Sequence, residues 1–116
     1  MDISYNYLLR IDDAVFATMP KLAVLDLSHN RDLKVMDKSF MGLETSLIKL
    51  GLENVSLSTV PEIRLKYLRE FRLGYNELPS IPQELAHNMS NLRMLDLSNN
   101  DLTNVPLMTQ SLPHLR

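Results

Sequence analysis

The residues in this chain that could do chemistry are few and widely spaced. His29, His87 and His114 lie far apart and show no H-E-x-x-H spacing, which would place two imidazoles on one helix face for zinc. Cysteine is absent, which excludes disulfides and cysteine-based zinc sites, and 3 glycines are too few for a phosphate-binding loop. No serine lies in a nucleophile-elbow motif. We therefore expect no catalytic residue, no metal and no cofactor, and interpret the chain as not an enzyme.

Two sequons offer a site of modification instead. Asn54-Val55-Ser56 and Asn88-Met89-Ser90 both lack a central proline, so Asn54 and Asn88 can each accept an N-linked glycan in a secreted protein. Asn88 is expected on a convex loop, away from the predicted sheet. Asn54 is expected at a strand edge, where a glycan would crowd the neighbouring concave surface.

The elements that position these residues come from an internal repeat. The chain has 23 Leu but only 7 aromatic residues, which favours one apolar slot filled repeatedly. The pattern L-x-x-L-x-L-x-x-N recurs with spacings of 25, 21, 24 and 23 residues between its first leucines. Its copies, including one truncated at the front, are Met1–Asn6, Leu22–Asn30, Leu47–Val55, Leu68–Asn76 and Leu92–Asn100.

This pattern predicts a stacked parallel sheet. L-x-L alternation is typical of a strand with one buried face, and stacked strands lie about 4.8 Å apart, so five would span roughly 20 Å. The asparagine that ends each unit is expected to pair with backbone groups of the inward turn. Val55 takes that place in the third unit, which predicts an unpartnered turn and a weak point. One extra residue before Leu33 predicts a bulge there.

The predicted fold class is α/β, as a right-handed leucine-rich-repeat solenoid with a concave parallel sheet and an irregular or short helical convex side. The convex slot of the short third repeat is assigned to Ile63 or Leu65. Neither end has the polar cap that a solenoid needs, so we expect an uncapped section of a longer array. The chain forms one array with repeats 1–21, 22–46, 47–67, 68–91 and 92–114, and a further repeat begins at 115.

The segments Leu22–Asn30, Leu68–Asn76 and Leu92–Asn100 resemble the extracellular leucine-rich-repeat family, in the typical subclass of Toll-like receptors and adhesion proteins. Residues 51–63 and 71–82 resemble arthropod members of that family that mediate cell adhesion in photoreceptor cells. The resemblance implies a glycoprotein on the extracellular face of the cell membrane, lipid-anchored through parts of the parent protein outside this chain.

The predicted binding surface is the concave face of the sheet. Concave faces of solenoids are extended binding surfaces, and tyrosine and arginine are enriched at interface hot spots. A second interpretation applies to the aspartates, because Asp-Leu-Ser is ordinary in this repeat type. The predicted protein-binding residues are Tyr5, Asp26, Glu70, Arg72, Tyr75 and Asp96.

We predict a protein partner, with a second copy on a facing cell as one candidate. Nucleic acid is not expected, because 12 basic and 14 acidic residues give a net charge of −2 and form no block of like charge. Two alternatives stay open: a receptor ectodomain of Toll-like type and an intracellular leucine-rich-repeat scaffold. Flanking cysteine caps and a signal peptide would favour a surface protein over a scaffold.

Overall fold

The computed structural model describes residues 2, 4, 21–35, 40–60, 63–80 and 85–101. Its elements are short strands and a single turn of helix, because each repeat stays extended only along its L-x-L core. The strands form one parallel sheet in the order β1-β2-β3-β4, which confirms the predicted solenoid. The elements are β1 (Val24–Asp26), β2 (Lys49–Gly51), β3 (Glu70–Arg72), α1 (Leu85–Asn88) and β4 (Met94–Asp96).

Successive repeats pair at the same repeat position. Leu25 pairs with Leu50, Leu50 with Phe71, and Phe71 with Leu95, and each of the first three side chains is at most 1% exposed. An isolated parallel bridge from Asp2 to Asp26 continues the ladder toward the start of the chain. A one-residue slip would move these apolar side chains to the open face, so the leucine spacing fixes the register.

The convex side closes the core in a different way in each repeat. In the fourth repeat, Leu85 begins α1 and Met89 directly follows its last residue, and both side chains are buried. Phe40 fills the corresponding space in the second repeat. In the third repeat, Ile63 and Leu65 are both buried, at 4% and 1% exposed, so the expected slot is filled by both side chains.

The turns after β2 and β3 are tied together by one buried asparagine, Asn76. The Nδ2 of Asn76 donates to the carbonyl oxygens of Leu73 in its own turn (2.9 Å) and Leu52 in the preceding repeat (2.8 Å). Its Oδ1 accepts from the backbone N–H groups of Val55 (3.0 Å) and Leu57 (3.1 Å). One amide therefore satisfies turn groups of two repeats that the parallel ladder leaves unpaired.

Asn100 repeats this arrangement one step along the array. Its Nδ2 donates to Leu97 O (3.0 Å) and Leu73 O (2.9 Å), and its Oδ1 accepts from Leu78 N (3.1 Å). Each asparagine therefore reaches back to the repeat that precedes it in the chain.

The turn at Val55 was expected to lack a side-chain hydrogen-bond partner. This expectation is wrong, because the backbone N–H of Val55 does have one. Asn76 supplies the partner from the following repeat, and the Val55 side chain is fully buried in the core. The apolar side chain of Val55 has no amide with which to reach back to the second repeat. The predicted bulge is an exposed turn at Arg31 and Asp32, closed by a hydrogen bond from Leu33 N to Asn30 O (3.0 Å).

Within the ranges described above, no helix is both long and apolar enough to cross a membrane.

We expect Asn76→Ala to lower the free energy of unfolding by about 3 kcal/mol or more, because each buried backbone group left without a partner costs about 1–3 kcal/mol. Asn91→Ala is the matched control, since Asn91 is only half-buried and its Nδ2 makes a single exposed bond, to Lys66 O (2.9 Å). Its loss should stay below about 1.5 kcal/mol. Urea unfolding followed by circular dichroism measures both variants, and equal losses would contradict the role given to Asn76.

Candidate functional site

The side chains that alternate with the core leucines form one open surface, here called the concave strip. Within it the strand pairing aligns a central column, in which Asp26 neighbours Gly51, Gly51 neighbours Arg72, and Arg72 neighbours Asp96. The strip thus brings together four of the residues predicted to bind a partner. Its members are Val24, Asp26, Ser28, Lys49, Gly51, Glu53, Glu70, Arg72, Gly74, Met94, Asp96 and Ser98.

Arg72 is held at the centre of the strip by two carboxylates. Its guanidinium nitrogens lie 3.9 Å from Glu53 Oε1 and 3.9 Å from Glu70 Oε2, and Glu70 also lies 3.7 Å from Lys49 Nζ. Its side chain remains 48% exposed. Exposed ion pairs contribute only about 0–1 kcal/mol to stability, so the main effect of this cluster is to restrict the position of the Arg72 guanidinium.

The aspartates of the strip are engaged within their own turns. Asp96 Oδ1 accepts from Ser98 N (3.0 Å) and Ser98 Oγ (2.7 Å), and these hydrogen bonds lower the pKa of Asp96 below its ordinary value. Asp26 Oδ1 accepts from Ser28 N (3.0 Å) in the same way. The geometry therefore gives these two predicted contact residues a structural role, whatever they also offer a partner.

Two glycines give the aspartates room across the strip. A Cβ placed on Gly51 would lie 2.6 Å from Asp26 Oδ1 and 3.1 Å from Ser28 Oγ. At Gly74 the nearest atom, Ser98 Oγ, would lie 3.2 Å away. The side chains of the neighbouring repeat therefore occupy the space over each of these glycines.

Tyr75 is the most exposed large apolar side chain described, at 58%, and its backbone is left-handed, with φ of 57°. The same repeat position is left-handed at His29 (63°), Asn54 (52°) and Asn99 (56°). Asparagine and histidine tolerate this conformation, whereas a bulky aromatic residue rarely adopts it. The turn fixed by Asn76 holds Tyr75 there and presents its ring to solvent.

The two sequon asparagines lie in different surroundings. Asn54 is half-buried, and its Nδ2 lies 3.2 Å from His29 Nδ1 in the preceding repeat. Asn88 is the last residue of α1, on the convex side and away from the strip. Tyr5, also predicted as an anchor, lies outside the described residues.

The sequence interpretation named Arg72 and Glu70 but did not single out Glu53. Aligning the repeats by position would have found it, because Glu53 and Arg72 stand in neighbouring columns of adjacent repeats. The described residues contain no group of three or more histidine, aspartate or glutamate side chains placed to hold a metal ion.

We expect Gly51→Ala to destabilise the chain by about 1–3 kcal/mol, because its new Cβ would overlap a carboxylate that Ser28 holds in place. Gly74→Ala is the matched control and should change stability by less than about 1 kcal/mol, since its contact is looser. The loss from Gly51→Ala should shrink in an Asp26→Ala background. Urea unfolding of the four variants measures this coupling, and an undiminished loss would refute the proposed overlap.

Comparison with known proteins identifies the array. Residues 1–57 and 66–116 match the family model described as Leucine rich repeat. Among solved structures, human 5T4 (Wnt-activated inhibitory factor 1, trophoblast glycoprotein) superimposes with a TM-score of 0.76 and 30% identity. That match covers 98% of this chain and 46% of the 5T4 chain.

Two curated relatives are closer in sequence. The chain is 97% identical over all 116 residues to Chaoptin of Drosophila melanogaster, and 46% identical over 109 residues, 92% of the chain, to Chaoptin of Tribolium castaneum. It spans 9% and 14% of the lengths of these relatives. The chain belongs to the leucine-rich-repeat family and is chaoptin-like within it.

Proposed function

We propose that the chain is a protein-binding segment of a cell-surface adhesion protein, and that the concave strip around Arg72, together with Tyr75 in the adjoining turn, contacts the partner. Leucine-rich-repeat domains generally bind proteins, and the match to Chaoptin favours cell–cell adhesion in photoreceptors. Under this proposal the parent protein is anchored by lipid on the extracellular face of the membrane. The chain itself contributes recognition and no catalysis.

The observation that carries this proposal is the backbone of Tyr75. A left-handed conformation costs an ordinary residue roughly 1–2 kcal/mol, yet this turn carries a large exposed aromatic residue where Asn54 and Asn99 stand in other repeats. Strain of this kind clusters at sites that bind ligands. Tyrosine and arginine are both among the residue types enriched at interface hot spots.

The strip also suits a second copy of the same surface. It places Lys49 and Arg72 among the carboxylates of Asp26, Glu53, Glu70 and Asp96, so both signs of charge are present. Two copies related by a two-fold axis could set the arginine of one against a carboxylate of the other. We therefore propose homophilic contact between facing cells.

Cell aggregation tests the strip. The chain replaces the matching segment of full-length Drosophila Chaoptin on the surface of otherwise non-adhesive cells. We expect Tyr75→Asn with Arg72→Gln to reduce aggregation at least about tenfold, as expected for the loss of two hot-spot residues. Asparagine suits the left-handed turn, and glutamine avoids setting a third carboxylate beside Glu53 and Glu70, so the fold should be retained.

The control variant is Met41→Ala with Arg31→Glu, which changes an exposed apolar residue and an exposed arginine away from the strip. It should aggregate as the unmodified protein does. Mixing labelled displaying cells with non-displaying cells tests the homophilic step, since only displaying cells should be recruited. Full aggregation by the Tyr75 and Arg72 variant, at equal levels of protein on the cell surface, would contradict the proposal that the concave strip binds the partner.

We also propose that Asn54 and Asn88 carry N-linked glycans, with Asn88 modified more completely because Asn54 is held against His29. In secreting cells, endoglycosidase should shift the mobility of the wild type. Asn88→Gln should remove the larger part of that shift and Asn54→Gln the smaller part. A chain that shows no shift would contradict the cell-surface assignment, and equal loss from both variants would contradict the ranking.

A further inference from the structure

A second surface lies at the edge of the sheet where the strands begin, on the side opposite the asparagine turns. Four exposed cations meet there, three of them within six residues of sequence and the fourth from the following repeat, and we name them the basic edge: Arg64, Lys66, Arg69 and Arg93. They line two surface grooves of about 290 and 710 Å³ that share Thr45 and Tyr67. Arg64, Lys66 and Arg69 are close in sequence, and the solenoid adds Arg93 from the following repeat.

The two arginines of the smaller groove are neighbours in the backbone ladder. Arg69 N donates to Ile48 O (2.7 Å) and Arg93 N donates to Arg69 O (2.8 Å), which continues the parallel pairing one residue before β3 and β4. Adjacent strands lie about 4.8 Å apart, and like charges facing each other at that spacing are destabilising. The chain therefore tolerates a repulsion that an anion between the two side chains would relieve.

Carboxylates do not relieve it within the described residues. On the concave strip both Lys49 and Arg72 have carboxylate neighbours, whereas none of the four cations of the basic edge takes part in an ion pair there. The one acidic residue that lines the grooves, Glu44, has its Oε2 engaged by the backbone N–H of Gly42 (2.8 Å).

Two further groups make the grooves a recognition surface. Ser46 lines the smaller groove, and its Oγ is buried without a hydrogen-bond partner in this part of the chain. A hydroxyl in that state can donate to an anionic oxygen. Tyr67 borders both grooves with 46% of its surface exposed, and Lys66 Nζ lies 5.9 Å from its ring centroid. An open aromatic face offers stacking to a planar or ring-shaped ligand.

We propose that the basic edge binds a sulfated polysaccharide. Arginine side chains donate paired N–H groups to the oxygens of a sulfate, as they do to those of a phosphate. Clusters of lysine and arginine are also found in heparin-binding patches. In this arrangement Arg69 and Arg93 hold one sulfate beside Ser46 in the smaller groove, and a sugar ring packs on Tyr67. Asn88, which is proposed above to carry a glycan, lines the larger groove, so Arg64 and Lys66 meet the next anionic group only in a chain without that glycan.

Other polymers fit this surface less well. The cores of protein interfaces are depleted in charged residues, whereas this surface is dominated by them. Channels for single-stranded nucleic acid stack successive bases on several aromatic residues, and the two grooves share one tyrosine. The net charge of −2 also means that attraction of a polyanion must come from the local cluster and not from the chain as a whole.

Heparin binding by the purified 116-residue chain tests this proposal. Affinity is measured by calorimetry at several NaCl concentrations for the wild type, Arg69→Glu/Arg93→Glu and Arg31→Glu/Lys34→Glu. The last pair carries the same change of charge at exposed positions after β1. Circular dichroism and thermal unfolding establish that all three are folded, and Arg69→Gln/Arg93→Gln replaces the first pair if it is not.

We expect the Arg69/Arg93 variant to lose at least about tenfold in affinity, and the slope of log Kd against log salt to fall by about two, one for each cation removed. The Arg31/Lys34 control should bind within about twofold of the wild type, and desulfated heparin should not bind. The proposal is overturned by absence of heparin binding, by equal losses in the two charge-reversed variants, or by duplex DNA binding as tightly as heparin.

Discussion

The structure depends on a constraint that a single repeat cannot meet. A strand of three residues followed by an inward turn leaves backbone N–H and C=O groups inside the core, where water cannot reach them. Asn76 meets this constraint by bonding Leu73 O in its own turn and Leu52 O, Val55 N and Leu57 N in the repeat before it. A buried polar group without a partner costs more than most single apolar contacts contribute, so the turn geometry follows from the reach of one side chain.

Both surfaces described above are consequences of that geometry. Fixing the turn fixes the register, and the register aligns equal repeat positions into columns about 4.8 Å apart. Residues placed in those columns meet whatever their separation in sequence, which is how Glu53 comes to lie beside Arg72 and how Arg69 comes to lie beside Arg93. The leucine positions form the buried core of the array, and the positions between them place side chains on its surface, where they can contact a ligand.

Leucine periodicity was enough to predict the strands, their parallel order and the buried asparagine position, because each follows from a side-chain period and a repeat length. The same reasoning placed Asp26, Glu70, Arg72 and Asp96 on the strip. It misjudged Val55, since it treated the asparagine as serving only its own turn, whereas the amide serves two. It did not foresee the basic edge, because Arg93 joins Arg64, Lys66 and Arg69 only when the repeat length sets it beside Arg69. The sequence also did not predict the left-handed backbone of Tyr75, because bulky side chains rarely adopt a positive φ.

The backward reach of the asparagines gives the array a direction. Asn76 finishes the turn of the third repeat and Asn100 that of the fourth, so these two repeats are completed by residues 21–27 positions later in the chain. During synthesis at roughly 5–20 residues per second, a finished strand would wait about 1–5 s for the amide that seals its turn. The last turn made therefore has unpaired backbone groups until the asparagine of the following repeat is in place. The turns are completed in the order in which they are synthesised.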